Sequence, residues 1–109
     1  MIIKSSSNKF QVSVCKSILS HMLGLMFKFS KNDGLLFIFR KEVFVSLHTF
    51  FVFFPIDVVY LNQEKKVIKI RKKLIPFTLF IPPVKCKYIL ELKDCKSIKL
   101  NDKIKFKID

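Results

Sequence analysis

Leu47-His48-Thr49-Phe50-Phe51-Val52-Phe53-Phe54-Pro55-Ile56-Asp57-Val58-Val59-Tyr60-Leu61 is a nearly uninterrupted apolar run with a histidine near one end and an aspartate near the other. Its Phe and Val content favours strand over helix. Pro55 cannot donate to a central ladder, so the run is expected as one or two strands with a bend or bulge there. The Phe50–Phe54 window would aggregate if exposed, which makes it central. An ionised carboxylate in such surroundings is expensive unless it is paired or hydrogen-bonded. Asp57 therefore needs a partner or a task.

Working outward, the dominant signal has period two. Phe10, Val12 and Val14 alternate with Gln11, Ser13 and Cys15, which predicts a strand. Leu35–Phe39, Val43–Leu47, Val67–Arg71 and Lys87–Leu92 read as further strands. Ile18, Leu19, Met22, Leu23 and Met26 sit at helical spacing and predict one short helix ending near Gly24. Turns are expected at Lys31–Gly34 and Asn62–Lys65. The stretch 74–83 is apolar but holds three prolines, so it is expected as an extended segment over the core or along an edge. At the C-terminus Ile98, Leu100, Ile104, Phe106 and Ile108 alternate with Lys99, Asn101, Lys103, Lys105 and Lys107, as in a half-buried strand turned at Asn101-Asp102. Seven or so short strands, one short helix and frequent turns predict a mainly β chain. The expected fold is a single compact β-sandwich-like or open-barrel domain over 10–109, behind a lead-in at 1–9.

Composition narrows the function classes. With 109 residues and half of them hydrophobic, the chain can bury a real core. Cys15, Cys86 and Cys95 form no Cys-x-x-Cys pair, which speaks against a disulfide framework and a zinc site and for a reducing compartment, the cytoplasm. A helical membrane span needs about 20 apolar residues. Both 47–61 and Ile18–Phe29 are shorter and interrupted by polar residues, so a soluble protein is expected. Net charge is +13, with +4 over residues 1–60 and +9 over 61–109. Two readings stand side by side: an anionic partner, or compositional bias that also blunts exposed strand edges.

Four blocks in order carry a family resemblance: Gly24-Leu25-Met26-Phe27-Lys28 with Gly34-Leu35-Leu36-Phe37; His48-Thr49-Phe50-Phe51 running into Phe54-Pro55-Ile56-Asp57-Val58; the segment around Pro76; and Tyr88-Ile89-Leu90-Glu91-Leu92 followed by Asn101-Asp102. In their order and spacing these resemble the domain-of-unknown-function 192 family of small bacterial and archaeal proteins. The resemblance implies a compact β-sandwich-like domain and supplies no established reaction or ligand. The chain departs from the family pattern in three places. Lys28 stands where an arginine is usual, Ser20-His21 replaces a charged pair, and Asn101 stands where glycine usually precedes the aspartate.

The candidate binding rim comprises Arg40, His48, Thr49, Asp57 and Glu91. One reading has Asp57 orienting His48 at a small polar site; the other has Asp57 accepting backbone N–H bonds, with His48 a satisfied neighbour. Arg40 and Arg71 are the two arginines among 21 basic residues, and two readings of Arg40 stand side by side: a bidentate pair with Asp57 or Glu91, or an exposed cation at a strand end. Glu91 lies opposite Tyr88, Leu90 and Leu92 on its strand and is expected in solvent. The candidate anion-binding stripe is Lys99, Lys103, Lys105 and Lys107, with Lys69, Arg71 and Lys73 on another strand. Phe106 alternates inward, so the stripe lacks interleaved rings for base stacking. Met22–Phe29 and 74–83 form a further candidate groove for a peptide or small ligand. No catalytic constellation, metal set or cofactor motif is recognised. The reading is a monomeric, non-enzymatic binding or accessory module at the rim, with a protein or small-ligand partner. The alternatives are a small enzyme using the same rim, or a weak binder of nucleic acid or anionic surfaces through the C-terminal lysines.

Overall fold

Alternating apolar residues build six strands in this computed structural model, which describes residues 1–15, 34–47, 55–75 and 81–107. They are β1 (Ile2–Lys4), β2 (Lys9–Cys15), β3 (Gly34–Leu47), β4 (Ile56–Leu61), β5 (Val67–Leu74) and β6 (Ile81–Leu92). All six belong to one sheet in the order β1-β2-β3-β6-β4-β5. Only β2 and β3 run parallel; the other neighbours are antiparallel. The chain is mainly β, and its extents of 30 × 27 × 26 Å are those of one compact body.

The two edge strands are bridged rather than left open. A C-terminal strap follows β6 and pairs with both edges, Lys105 with Lys4 of β1 and Lys103 with Lys66 at the start of β5. The sheet thus curls into a partly closed barrel, the open-barrel form of the expected architecture. Inside it lie Ile3, Phe10, Val12, Leu36, Val59, Leu61, Val67, Tyr88, Leu90, Leu92, Ile98, Ile104 and Phe106. A second buried cluster, including Leu35, Phe37, Val58, Tyr60 and Ile89, occupies the other face of β3, β4 and β6. The middle strands are therefore buried on both faces.

Several expected boundaries change. The two strands predicted at Leu35–Phe39 and Val43–Leu47 are one strand, β3, whose register against β6 breaks between Ile38 and Val43. Ile81-Pro82-Pro83 opens β6, and the prolines fit because they face a second register shift, between Val45 and Leu47. The C-terminal alternation makes bridges but no full strand. Ile98, Ile104 and Phe106 are buried as expected, whereas Leu100 is 57% exposed. The stretch 1–9, expected as a lead-in, contributes β1 and the fully buried Ile3. The predicted helix at 18–26 lies outside the described residues.

Gly34 starts β3 directly opposite Leu92. A Cβ there would collide with the Glu91 carbonyl oxygen and come within 2.7 Å of Leu92 Cδ2. Backbone cannot yield cheaply in a central pair. Gly34→Ala is therefore expected to cost at least about 2 kcal/mol, read as a lower urea midpoint.

Candidate functional site

Asp57 is 1% exposed and points to the barrel interior with Leu92, its partner on β6. Opposite it β5 bulges: Ile56 pairs with Leu74 and Val58 with Arg71, so Lys72 and Lys73 face one residue. A bulge leaves a backbone N–H unpaired. The Lys73 N–H donates to Asp57 Oδ1 at 2.8 Å, and the Cys95 N–H donates to Oδ2 at 2.8 Å. Burial pushes the Asp57 carboxyl up, but the bonds from Cys95 and Lys73 outweigh it and hold it below its usual value. Of the two readings of Asp57, the backbone-accepting one describes these contacts.

Glu91 corrects the expectation of solvent. It is 2% exposed because its strand lies between β3 and β4, with Leu35 and Val58 as its cross-strand neighbours. No side-chain hydrogen bond or ion pair reaches its carboxyl among the described residues, and burial pushes it up to about 8. Because partners in register share a face, Asp57 lies with Leu92 and Glu91 with Val58, on opposite sides of the sheet.

Arg40 is exposed and pairs with neither carboxylate. Four residues of β3 lie between the pairs Ile38–Tyr88 and Val43–Cys86, against one of β6, and Arg40 rides on this excursion. His48 and Thr49 lie outside the described residues, as do Met22–Phe29 and residues 76–80 of the proline-containing segment. The other arginine makes the specific contacts. Arg71 Nε donates to Tyr60 Oη at 3.3 Å and its terminal nitrogen to the Pro82 carbonyl at 3.4 Å. Burial raises the Tyr60 phenol despite that bond. Its rarity in a lysine-rich chain was the available sequence signal for Arg71.

The C-terminal lysines do come together. Lys103, Lys105 and Lys107 line a groove of about 700 Å³ with Lys4, Lys65, Ile2 and Glu64. Lys99 is exposed on the same strap but does not line it. Lys69, Arg71 and Lys73 stay on β5 away from the groove. Lys65 is fixed: its Nζ donates to the Phe106 carbonyl at 2.7 Å and sits 4.5 Å from that ring's centre. Phe106 itself is buried and packs edge-on against Tyr88. Lys4 and Lys65 were not singled out from sequence, because only the strap's path brings them to the stripe. Among the described residues no three His, Cys, Asp or Glu side chains are placed to hold a metal ion. No helix among them is long and apolar enough to cross a membrane.

The profile of the domain-of-unknown-function 192 family, described as an uncharacterised ACR, matches residues 1–106. A UPF0127 protein of Pyrococcus horikoshii is 33% identical over 115 residues, covering 97% of this chain and 98% of that protein. A UPF0127 protein of Thermococcus sibiricus is 26% identical over 118 residues, covering 100% of this chain and 76% of that protein. The fold is similar to the crystal structure of a protein of unknown function from Novosphingobium aromaticivorans, with a TM-score of 0.83 at 17% identity over 96% of this chain and 84% of that one.

The two buried carboxyls predict opposite pH behaviour. Asp57, held low, stabilises the fold above its unfolded value of 3.8, and this is lost as pH falls through the folded value. Asp57→Asn leaves one backbone N–H facing an amide and is expected to cost about 2–4 kcal/mol at neutral pH, measured by urea denaturation. Glu91, held high, stabilises most below its unfolded value of 4.5, and stability declines as pH rises to about 8. Stability is expected to fall by roughly 5 kcal/mol across that window. Glu91→Gln is expected to flatten the slope, and a variant keeping the parent's slope would place the carboxyl in water.

Proposed function

This chain belongs to the domain-of-unknown-function 192 family, and on that premise we propose that it is a non-enzymatic binding domain that holds the phosphate backbone of nucleic acid at its lysine-lined groove. One observation carries the reading: among the described residues, five lysines from three separated parts of the chain line one groove with Glu64 as their one carboxylate. Such a surface neutralises phosphates and releases their counterions. Lysine acts there as a point charge and asks for no fixed ligand geometry. The groove's one aromatic residue, Phe106, is buried, so bases have no ring to stack on and sequence is not read. The domain acts as a monomer. Its described cysteines, Cys86 and Cys95, are free and buried, which suits the cytoplasm.

A second reading keeps a small ligand or protein at the rim of Arg40, His48, Thr49, Asp57 and Glu91. The buried Glu91 carboxyl, which has no partner among the described residues, favours it, since buried polar groups are rarely left unsatisfied without a reason. The opposite facing of Asp57 and Glu91 speaks against one shared pocket.

Fluorescence anisotropy with oligonucleotides of differing sequence tests the first reading. Affinity is expected to be alike across sequences and to fall steeply between low and moderate salt. Each groove lysine removed is expected to lower the salt slope by about 0.7 for a single strand. Changing Lys103, Lys105 and Lys107 together to Glu is expected to abolish binding, whereas Lys69→Glu, outside the groove, leaves most of it. Parent-like binding by the triple variant overturns the reading.

A further inference from the structure

Two lysines of the groove face each other and a third faces Lys66, which lies beside the groove without lining it. The strap's Lys105 pairs directly with Lys4 of β1, and both exchange backbone bonds, Lys4 N–H to the Lys105 carbonyl at 2.9 Å and Lys105 N–H to the Lys4 carbonyl at 2.8 Å. Lys103 pairs directly with Lys66 at β5. There the flanking bonds run from Val67 N–H to the Asp102 carbonyl and from Ile104 N–H to the Lys65 carbonyl. That makes Lys66–Lys103 a non-hydrogen-bonded pair, the type that brings side chains closest. Directly opposed like charges destabilise a ladder. Both pairs lie where the barrel is joined across its edges.

Among the described residues, no carboxylate forms an ion pair with Lys4, Lys66, Lys103 or Lys105. Asp102, next to Lys103, is turned onto the Lys99 N–H at 2.9 Å. Among the described residues, Glu64 is the one carboxylate lining the groove. Lys65, locked onto the Phe106 carbonyl, adds a fixed ammonium beside the same seam. With Ile3, Ile104 and Phe106 inside, the alternation that fills the barrel forces these lysines to share the outer face.

We propose that this seam is a built site for a multiply charged phosphate chain, whose binding across Lys4–Lys105 and Lys66–Lys103 staples β1 to β5. It rests on the groove reading above and adds that the ligand completes the barrel's closure. An anion spanning the seam turns two repulsive pairs into bridges, so binding and folding stability are coupled. The two pairs sit two residues apart along the strap, so a ligand that bridges both must carry negative charge at more than one point along its length. The ligand class is therefore a linear di- or polyphosphate, of which a nucleic-acid backbone is the polymeric form.

The test is thermal unfolding of the full chain with sodium tripolyphosphate, against sodium chloride at matched ionic strength. The parent is expected to gain about 4–8 °C over the chloride control. Lys105→Gln and, independently, Lys66→Gln are each expected to raise the ligand-free melting temperature and to cut the phosphate-induced gain by more than half. Lys69→Gln, on β5 away from the groove, is expected to change neither. If both seam variants keep the parent's gain, or if the parent gains no more than with chloride, the seam proposal is overturned. Oligonucleotide binding that survives without any tripolyphosphate gain overturns the seam alone; loss of both responses overturns the groove reading as well.

Discussion

The Asp57 carboxylate is the constraint on which the rest depends. Its two oxygens hold backbone N–H groups from places far apart in sequence, the bulge of β5 and the first turn of the strap. Ordinary ladder bonding reaches neither donor. An apolar residue at 57 would leave both buried and unsatisfied, and a neutral amide can accept for only one. The cost of burying the charge is offset by charge-assisted bonds at both oxygens. The Cys95 thiol faces the same carboxylate, and burial, reinforced by Asp57, pushes it up to about 11. That pressure keeps Cys95 a packing group rather than a reactive one.

From this anchor the strap crosses the barrel's open side. Lys96, Asn101, Lys65 and Lys73 all adopt left-handed backbone, with φ of 54°, 72°, 63° and 55°. A lysine costs roughly 1 kcal/mol or more in that region, where glycine would cost little. Local bonds hold each turn in place. Asp94 Oδ1 accepts the Lys96 N–H, Asn62 Oδ1 accepts the N–H groups of Glu64 and Lys66, and Val67 exchanges bonds with Asn101 and Asp102. Asn101, in the position where the family usually has glycine, fills a left-handed site with the side chain that tolerates it best after glycine.

What was legible followed from period two, and what was not followed from its hidden assumption. The strands around Phe10–Val14 and Val67–Arg71 and the inward turn of Ile104 and Phe106 needed only alternation and local turn residues. Glu91 was misread because alternation was taken to mean one wet face. On a strand flanked by β3 and β4, with buried clusters on both sides, the residue opposite Leu90 and Leu92 is buried too. Of the two readings of Arg40 the exposed cation describes its position, but the sequence divided Leu35–Phe39 from Val43–Leu47 as two strands, because a four-residue excursion inside one strand has the same pattern as a break between two. Asp57 was legible as a problem, a charge in an apolar run. Its solution was not, because both donors lie outside its own hairpin turn and one belongs to the strap. Lys4 and Lys65 joined the stripe only through the closure, which no local pattern announces.

The same geometry bears on whether the charge is mere composition. Lysines kept for solubility work anywhere on a surface and work best interspersed with acids. Lysines that blunt an edge belong on unpaired strands. Lys4, Lys66, Lys103 and Lys105 do neither: each faces another lysine across a formed bridge. Compositional drift toward lysine explains why the chain holds so many. It does not explain why, among the described residues, no carboxylate forms an ion pair with these cross-strand partners on the closing seam, when Asp102 stands one residue away and is turned onto the Lys99 N–H. On the proposed seam reading, a surface that tolerates repulsion at the point where its barrel closes answers a demand other than stability, and the relieving charge is that of the phosphate ligand.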